Sequence, residues 1–270
     1  VTSKLPKISI ITVCYNASAS IEKTIKSVLT QNYSNLEYIF VDGHSSDNTL
    51  EIIKKHQKDE SLIISEKDKG PFDAMNKGIK KATGDIIGII NADDWYEESA
   101  FNSIAKAFSA NNQPDVICGN MQYWDGEEKG KLAFAVLHRI TKEMSLNHPT
   151  IFVKRSTYIK HGVFDLQFKL ASDYELALRF YSLGCSFFIV NQTIANMSLQ
   201  GMSDRQWKTS LKEAFHIKLK HTSKPIAYLE YAEIFVKEAT VRQLKKYNLY
   251  GIYKKYKNII GIINGKGNRF

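Results

Sequence analysis

Four short apolar runs, at residues 7–13, 36–41, 62–64 and 86–90, each end on a polar cluster, and the segments between them carry apolar residues at helical spacing. Ile21, Ile25, Val28 and Leu29 mark one amphipathic helix, Leu50 and Ile53 begin a second, and Phe72, Met75, Ile79 and Ala82 mark a third that Pro71 opens and Gly84 ends. Apolar runs of this kind suit strands buried on both faces. Strands alternating with helices of about a dozen residues imply right-handed crossovers and a mostly parallel sheet flanked by helices. The expected fold class is therefore α/β and Rossmann-like.

That topology assigns a common address to residues far apart in the chain. Tyr15, Asp42, Asp68 and Asp93 each follow a strand, so they are expected at the carboxyl edge of the sheet, where open α/β folds bind ligands. The most charged of these clusters is Asn91-Ala92-Asp93-Asp94-Trp95. Two adjacent carboxylates there call for a counter-charge, and a divalent cation shared with a nucleotide diphosphate supplies one, because magnesium and manganese take hard oxygen ligands. The competing reading is that Asp93 or Asp94 caps a helix opened by Glu97 and Glu98.

The second half changes pattern. A helix over 100–108 precedes a strand at 115–118, then 121–124 and 131–136 read as a hairpin joined through Asp125-Gly126. Asn147-His148-Pro149 leads to a strand at 150–153, Asp173 opens a helix that runs to Leu183, and 186–190 returns to the sheet. Residues 195–204 are expected to form a loop over the cleft. Beyond Trp207 the period is helical, first through Leu211, Phe215 and Leu219, then from Pro225. The segment 247–263 sets Tyr250, Tyr253, Tyr256, Ile259, Ile260 and Ile263 among Lys254, Lys255 and Lys257, which suits an interfacial amphipathic helix or a helix packed on the catalytic part.

Charge separates the two ends of the chain. From residue 208 onward there are 14 Lys and Arg against 4 Asp and Glu, a net +10, which leaves −1 for residues 1–207 of a chain whose total is +9. The basic tail points to an acidic partner such as an anionic membrane surface. A nucleic-acid-binding protein is the alternative, and it leaves the acids at the strand ends without a purpose. Cys14, Cys118 and Cys185, odd in number and widely spaced in apolar contexts, read as core thiols of a reducing compartment. No apolar run reaches the ~18 residues of a membrane span, and Val1 to Pro6 carry no signal region, so a cytoplasmic location, peripheral on the inner face of the membrane, is expected.

Five motifs in order, 9–16 (Ser-Ile-Ile-Thr-Val-Cys-Tyr-Asn), Val41-Asp42-Gly43 with Ser45 and Asp47, Asp68-Lys69-Gly70 through Asp73-Ala74-Met75-Asn76-Lys77-Gly78, Asn91-Ala92-Asp93-Asp94, and Ser172-Asp173-Tyr174-Glu175, resemble the inverting glycosyltransferases of family 2, which have the GT-A fold. The resemblance runs from about Lys7 to Leu183. It implies a catalytic domain over 1–205, with a nucleotide-sugar half at about 1–120 and an acceptor half at about 121–205, followed by a basic helical extension over 206–270.

The same resemblance implies roles. Tyr15 would lie against the nucleotide base and Asp42 would accept a hydrogen bond from it. Thr12, Val13, Asp68, Lys69, Gly70, Asn76, Asn91, Asp93 and Arg205 would complete the donor site, Lys69 and Arg205 as phosphate neutralisers. Asp93, at the ribose or the metal, and Asp94, on the metal, stand for the family's Asp-x-Asp element, with Asn91 in the place of its first acid; His148, read from its own chemistry, is a candidate ligand of manganese or magnesium or a contact to a phosphate. Asp173 matches the catalytic base and Glu175 its support. The implied reaction moves a sugar, with inversion, from a UDP-sugar to a hydroxyl of a lipid-linked glycan in surface polysaccharide assembly, with no nucleic-acid partner. A catalytically inactive scaffold of the same fold is the other alternative.

Overall fold

The computed structural model describes residues 5–57, 61–199, 206–247, 249 and 251. It divides into two compact units, Val1–Ala214 and Phe215–Phe270.

The first unit opens with the expected alternation: β1 (Ile8–Cys14), α1 (Ile21–Leu29), β2 (Leu36–Asp42), α2 (Thr49–His56), β3 (Leu62–Ser65), α3 (Pro71–Lys81) and β4 (Ile86–Asn91). Then follow β5 (Trp95–Tyr96), α4 (Ala100–Ala110), β6 (Val116–Asp125), β7 (Glu128–Ala133), β8 (Phe152–Lys154), α5 (Arg155–His161), α6 (Ser172–Ser182) and β9 (Phe187–Ser198). One nine-stranded sheet runs in the order β3-β2-β1-β4-β8-β6-β9-β5, with β7 added beside β6. β1 pairs in parallel with β2 and β4, whereas β8 is antiparallel to both β4 and β6.

Every residue of β1 is buried, which is why its sequence is almost continuously apolar. Ile8, Ile10 and Cys14 join a core with Ile21, Ile25 and Val28 of α1 and Phe101 and Ile104 of α4. Ile11 and Val13, on the opposite face, join Met75 and Ile79 of α3 and Leu176 and Phe180 of α6. The period of two along the strand thus sorts side chains between two layers of helices. Gly88 marks the tightest crossing in β4: a Cβ there would come within 2.5 Å of the Phe152 ring.

Three local expectations change. Val116–Asp125 form the single strand β6, with a register shift between Gln122 and Trp124, rather than two segments. β9 continues through Ser198, pairing with β5 and β6, so residues 195–198 are strand and not loop. Asp93 and Asp94 do not cap a helix. They occupy the turn between β4 and β5, while α4 begins only at Ala100.

α7 (Trp207–Lys218) begins in the first unit and ends in the second, which also holds α8 (Lys224–Lys246). Within the second unit Phe215 packs on Tyr228 and Tyr231, and buried Lys218 pairs with Glu230 at 2.7 Å. No helix among the described residues is long and apolar enough to cross a membrane. The expected helix over 247–263 lies outside the described residues apart from 247, 249 and 251.

Candidate active site

The carboxyl ends of β1 and β2 lie side by side, Cys14 opposite Asp42, and the Gly43 amide donates to the Cys14 carbonyl at 2.9 Å. Asp42 is fully buried. Its carboxylate accepts from the Ser45 amide and hydroxyl and, at 2.6 Å, from the Ser65 hydroxyl of β3. It therefore knots together the loop after β2 and the end of β3. The open face beside it belongs to other residues. A Cβ on Gly43 would meet Oδ2 of Asp68 at 2.6 Å and the Tyr15 ring at 3.4 Å, and Tyr15 is 65% exposed. The glycine backbone is closely flanked by an aromatic ring and a carboxylate, with no room for a side chain.

Asp68 is held by the Gly70 amide at 2.9 Å, and Gly70 has φ +122, a left-handed conformation that a side chain disfavours. The exposed Lys69 donates its own amide to Asp73 at 3.0 Å. Asn76 uses its amide in both directions on the main chain of Phe164, at 2.9 and 3.0 Å, and so ties α3 to the segment preceding α6. Thr12 and Val13 are corrected in one respect. Thr12 is buried with its hydroxyl 3.0 Å from that of Tyr38, Val13 belongs to the core, and both sit in β1 between β2 and β4, so neither side chain is open to a ligand.

At the end of β4 the Asp94 amide closes a turn on the Asn91 carbonyl at 3.2 Å. Asp94 is 1% exposed, and among the described residues its carboxylate takes two long hydrogen bonds, from the Ser198 amide at 3.3 Å and the Asn91 amide group at 3.5 Å. Burial and then the neighbouring Asp93 push the Asp94 carboxyl well above the usual range, and desolvation raises Asp93 as well, although one side of that residue remains open to solvent. Among the described residues no Lys or Arg pairs with either carboxylate. Two adjacent hard-oxygen donors without a described basic partner fit magnesium or manganese, which commonly rest on one or two carboxylates and complete their shell with phosphates and water. Trp95 next door is a packing residue: its ring lies 5.7 Å from that of Trp124, whose indole N–H donates to Asn196 at 2.6 Å.

Across the sheet edge, a small cavity is lined by Ile89 of β4, His148, Ile151, Tyr158, Phe164 and Asp173. Asp173 is the second residue of α6 and not its cap; Ala171 occupies the cap position. Desolvation raises the Asp173 carboxyl and lowers the His148 imidazole, while each partly offsets the other's shift. His148 is thus placed with the expected base rather than with Asp93 and Asp94, and among the described residues no three His, Cys, Asp or Glu side chains form a metal-binding group. The anticipated trio of Asp93, Asp94 and His148 does not assemble, because the turn carrying His148 packs over the apolar cavity. Arg205 lies outside the described residues.

Glu175 is two residues from Asp173 and so faces elsewhere on the helix. It is buried in a two-pronged pair with Arg179, at 2.9 and 3.0 Å, and Arg179 also donates to the carbonyls of His161 and Val163. Glu175 is thus tied, through Arg179, to the segment at 161–163. One carboxylate was not singled out in the sequence: Glu213 of α7 accepts from the amides of Lys169, Leu170 and Ala171, directly before α6. Nothing in its local sequence marks it.

The crystal structure of Staphylococcus aureus TarS 1-349 in complex with UDP-GlcNAc superposes on 85% of this chain and 71% of that one with a TM-score of 0.67 at 18% identity. The fold is that of a GT-A glycosyltransferase. The model of glycosyl transferase family 2 matches residues 9–164, and the chain belongs to that family. A Mycobacterium tuberculosis PGL/p-HBAD biosynthesis glycosyltransferase is 30% identical over 181 residues, covering 66% of this chain and 70% of that protein. Escherichia coli chondroitin synthase is 26% identical over 235 residues, covering 82% of this chain and 33% of that protein.

Proposed function

We propose that this glycosyltransferase uses a UDP-sugar and a divalent cation and transfers the sugar with inversion to a hydroxyl of a lipid-linked glycan, in the assembly of surface polysaccharide. The observation that carries the reading is the Asp93-Asp94 pair at the carboxyl edge, which no Lys or Arg among the described residues neutralises, with the raised carboxyl of Asp173 in the cavity under the same end of β4. Tyr15, Gly43 and Asp68 hold the base, with Asp42 fixing the loop that shapes their slot. Asp93 and Asp94 hold the cation, which when bound supplies positive charge to the departing diphosphate. Asp173 accepts the proton of the acceptor hydroxyl as its oxygen bonds to the anomeric carbon and the bond from that carbon to phosphate oxygen breaks. TarS with UDP-GlcNAc and the glycolipid and glycan enzymes among the relatives support a UDP-sugar donor and a glycan acceptor.

The test is a thermal-shift panel of UDP, GDP and dTDP with and without manganese. Selective, manganese-dependent stabilisation by UDP is expected, because a ligand of the native state raises its melting temperature by mass action. Equal responses to all three nucleotides would sink the donor assignment. The basic tail, net +10 from residue 208, is assigned to the anionic inner face of the membrane that carries the acceptor. In liposome flotation the full chain should bind anionic vesicles better than a chain lacking residues 246–270, and equal binding would remove the tail from that role.

A further inference from the structure

We infer that Glu213 is the positioning residue of the catalytic base, holding the entry of α6 so that Asp173 is presented to the acceptor hydroxyl. The inference rests on the reading of Asp173 as the base. Three consecutive amides, those of Lys169, Leu170 and Ala171, point at one carboxylate at 3.0, 2.8 and 3.0 Å. Successive main-chain N–H groups of this kind form an anion-binding concavity, and hydrogen bonds to a charged acceptor are about twice as strong as neutral ones. Here the anion comes from the protein's own α7, some forty positions further along.

The segment has a second tether. The Ser172 hydroxyl donates to the Asp165 carbonyl at 2.8 Å, and the Asp165 carboxylate accepts the Gln167 amide at 2.9 Å. The backbone entering Asp173 is thus tethered from two sides, and Leu170 and Ala171 are buried. Among the described residues the hydrogen bonds of the Glu213 carboxylate go to Lys169, Leu170 and Ala171 and none goes to β1, β2 or the loop after β3. Its loss should therefore act on the chemical step and spare donor binding. The charged groups that act on Asp173 are His148 in the cavity and Glu213 itself.

Glu213→Gln keeps the size but removes the charge and turns its NH2 group toward at least one of the three main-chain donors. With the UDP-sugar that the wild type hydrolyses fastest, it should lower kcat about tenfold or more, as misplacement of a reacting group does. The donor KM should stay within about twofold. The acid limb of kcat should move to lower pH, since a negative neighbour of Asp173 is gone. Glu213→Asp, which keeps the charge on a shorter stem, should lose part of kcat and retain the wild-type acid limb; it carries the test if Glu213→Gln melts below assay temperature. Wild-type kcat and acid limb in Glu213→Gln, or a donor KM that rises as far as kcat falls, overturns the inference. Asp173→Asn is run in parallel. An inactive Asp173→Asn beside a fully active Glu213→Gln overturns this inference alone, whereas an active Asp173→Asn removes the base assignment and this inference with it.

Discussion

His148 and Asp173 line the same apolar cavity, the imidazole from the turn after Leu146 and the carboxylate from the first turn of α6. Burial disfavours charge on both, so the pair titrates as a coupled unit with Asp173 above, and His148 below, its ordinary value. A base must be unprotonated, so kcat should rise with pH through a midpoint above the ~3.9 of a free aspartate. Asp173→Asn should reduce kcat by ~10²–10⁴-fold with little change in donor KM. His148→Gln should move the acid limb to higher pH, because a protonated imidazole helps keep Asp173 ionised. A pH–rate series on the three proteins decides both points, and an unmoved limb in His148→Gln would disconnect the pair.

Asp94→Asn should stabilise the cation-free protein at neutral pH. The folded state holds the Asp94 proton more tightly than the unfolded chain does, so between the unfolded value of ~3.9 and the raised folded value it binds more protons, and stability falls as pH rises through that window. Asparagine carries no charge to bury and escapes the loss. The melting temperature at pH 7 should rise in the variant and the upward shift with manganese plus UDP should shrink or vanish. A lower melting temperature with an intact manganese response contradicts the assignment.

Gly43→Ala should weaken donor binding while leaving the fold intact. Its Cβ would lie 2.6 Å from the Asp68 carboxylate, which can swing aside, and doing so disturbs the slot beside Tyr15. The donor KM should rise roughly tenfold, equivalent to ~1.4 kcal/mol, with a melting temperature close to wild type. Isothermal titration with UDP measures it; unchanged affinity would place the base elsewhere.

Glu175→Ala should behave as a stability variant. Removing it leaves Arg179, half-buried and bound to the carbonyls of His161 and Val163, without its counter-charge. A cost of about 2–3 kcal/mol is expected from denaturant unfolding, as for lost hydrogen bonds to charged groups. Below the melting transition kcat should fall far less than in Asp173→Asn. A loss of kcat equal to that of Asp173→Asn, without destabilisation, would place Glu175 in the chemistry.

Much of this molecule is written in local patterns. The apolar runs of β1, β2 and β4 are legible because each strand is covered on both faces, and the three following helices because one stripe of each meets the sheet. Alternation then dictates crossovers, and crossovers place Tyr15, Asp68 and Asp93 at one edge. The long strand β9 was harder to see past Val190, since its later residues pair with β5 and β6 and include the polar Asn191, Gln192 and Asn196.

The sequence by itself determined the parallel strands β1 to β4 and the helices between them, and therefore which acids gather at the carboxyl edge, because those outcomes follow from periodicity and handedness over short stretches. Tertiary structure alone decided which side chains meet. It turned His148 toward Asp173 instead of toward Asp94, gave Glu175 to Arg179, saturated Asp42 with Ser45 and Ser65, and brought Glu213 onto the amides before α6. Those pairings depend on how separate elements are packed, a distance in space that no spacing along the chain encodes.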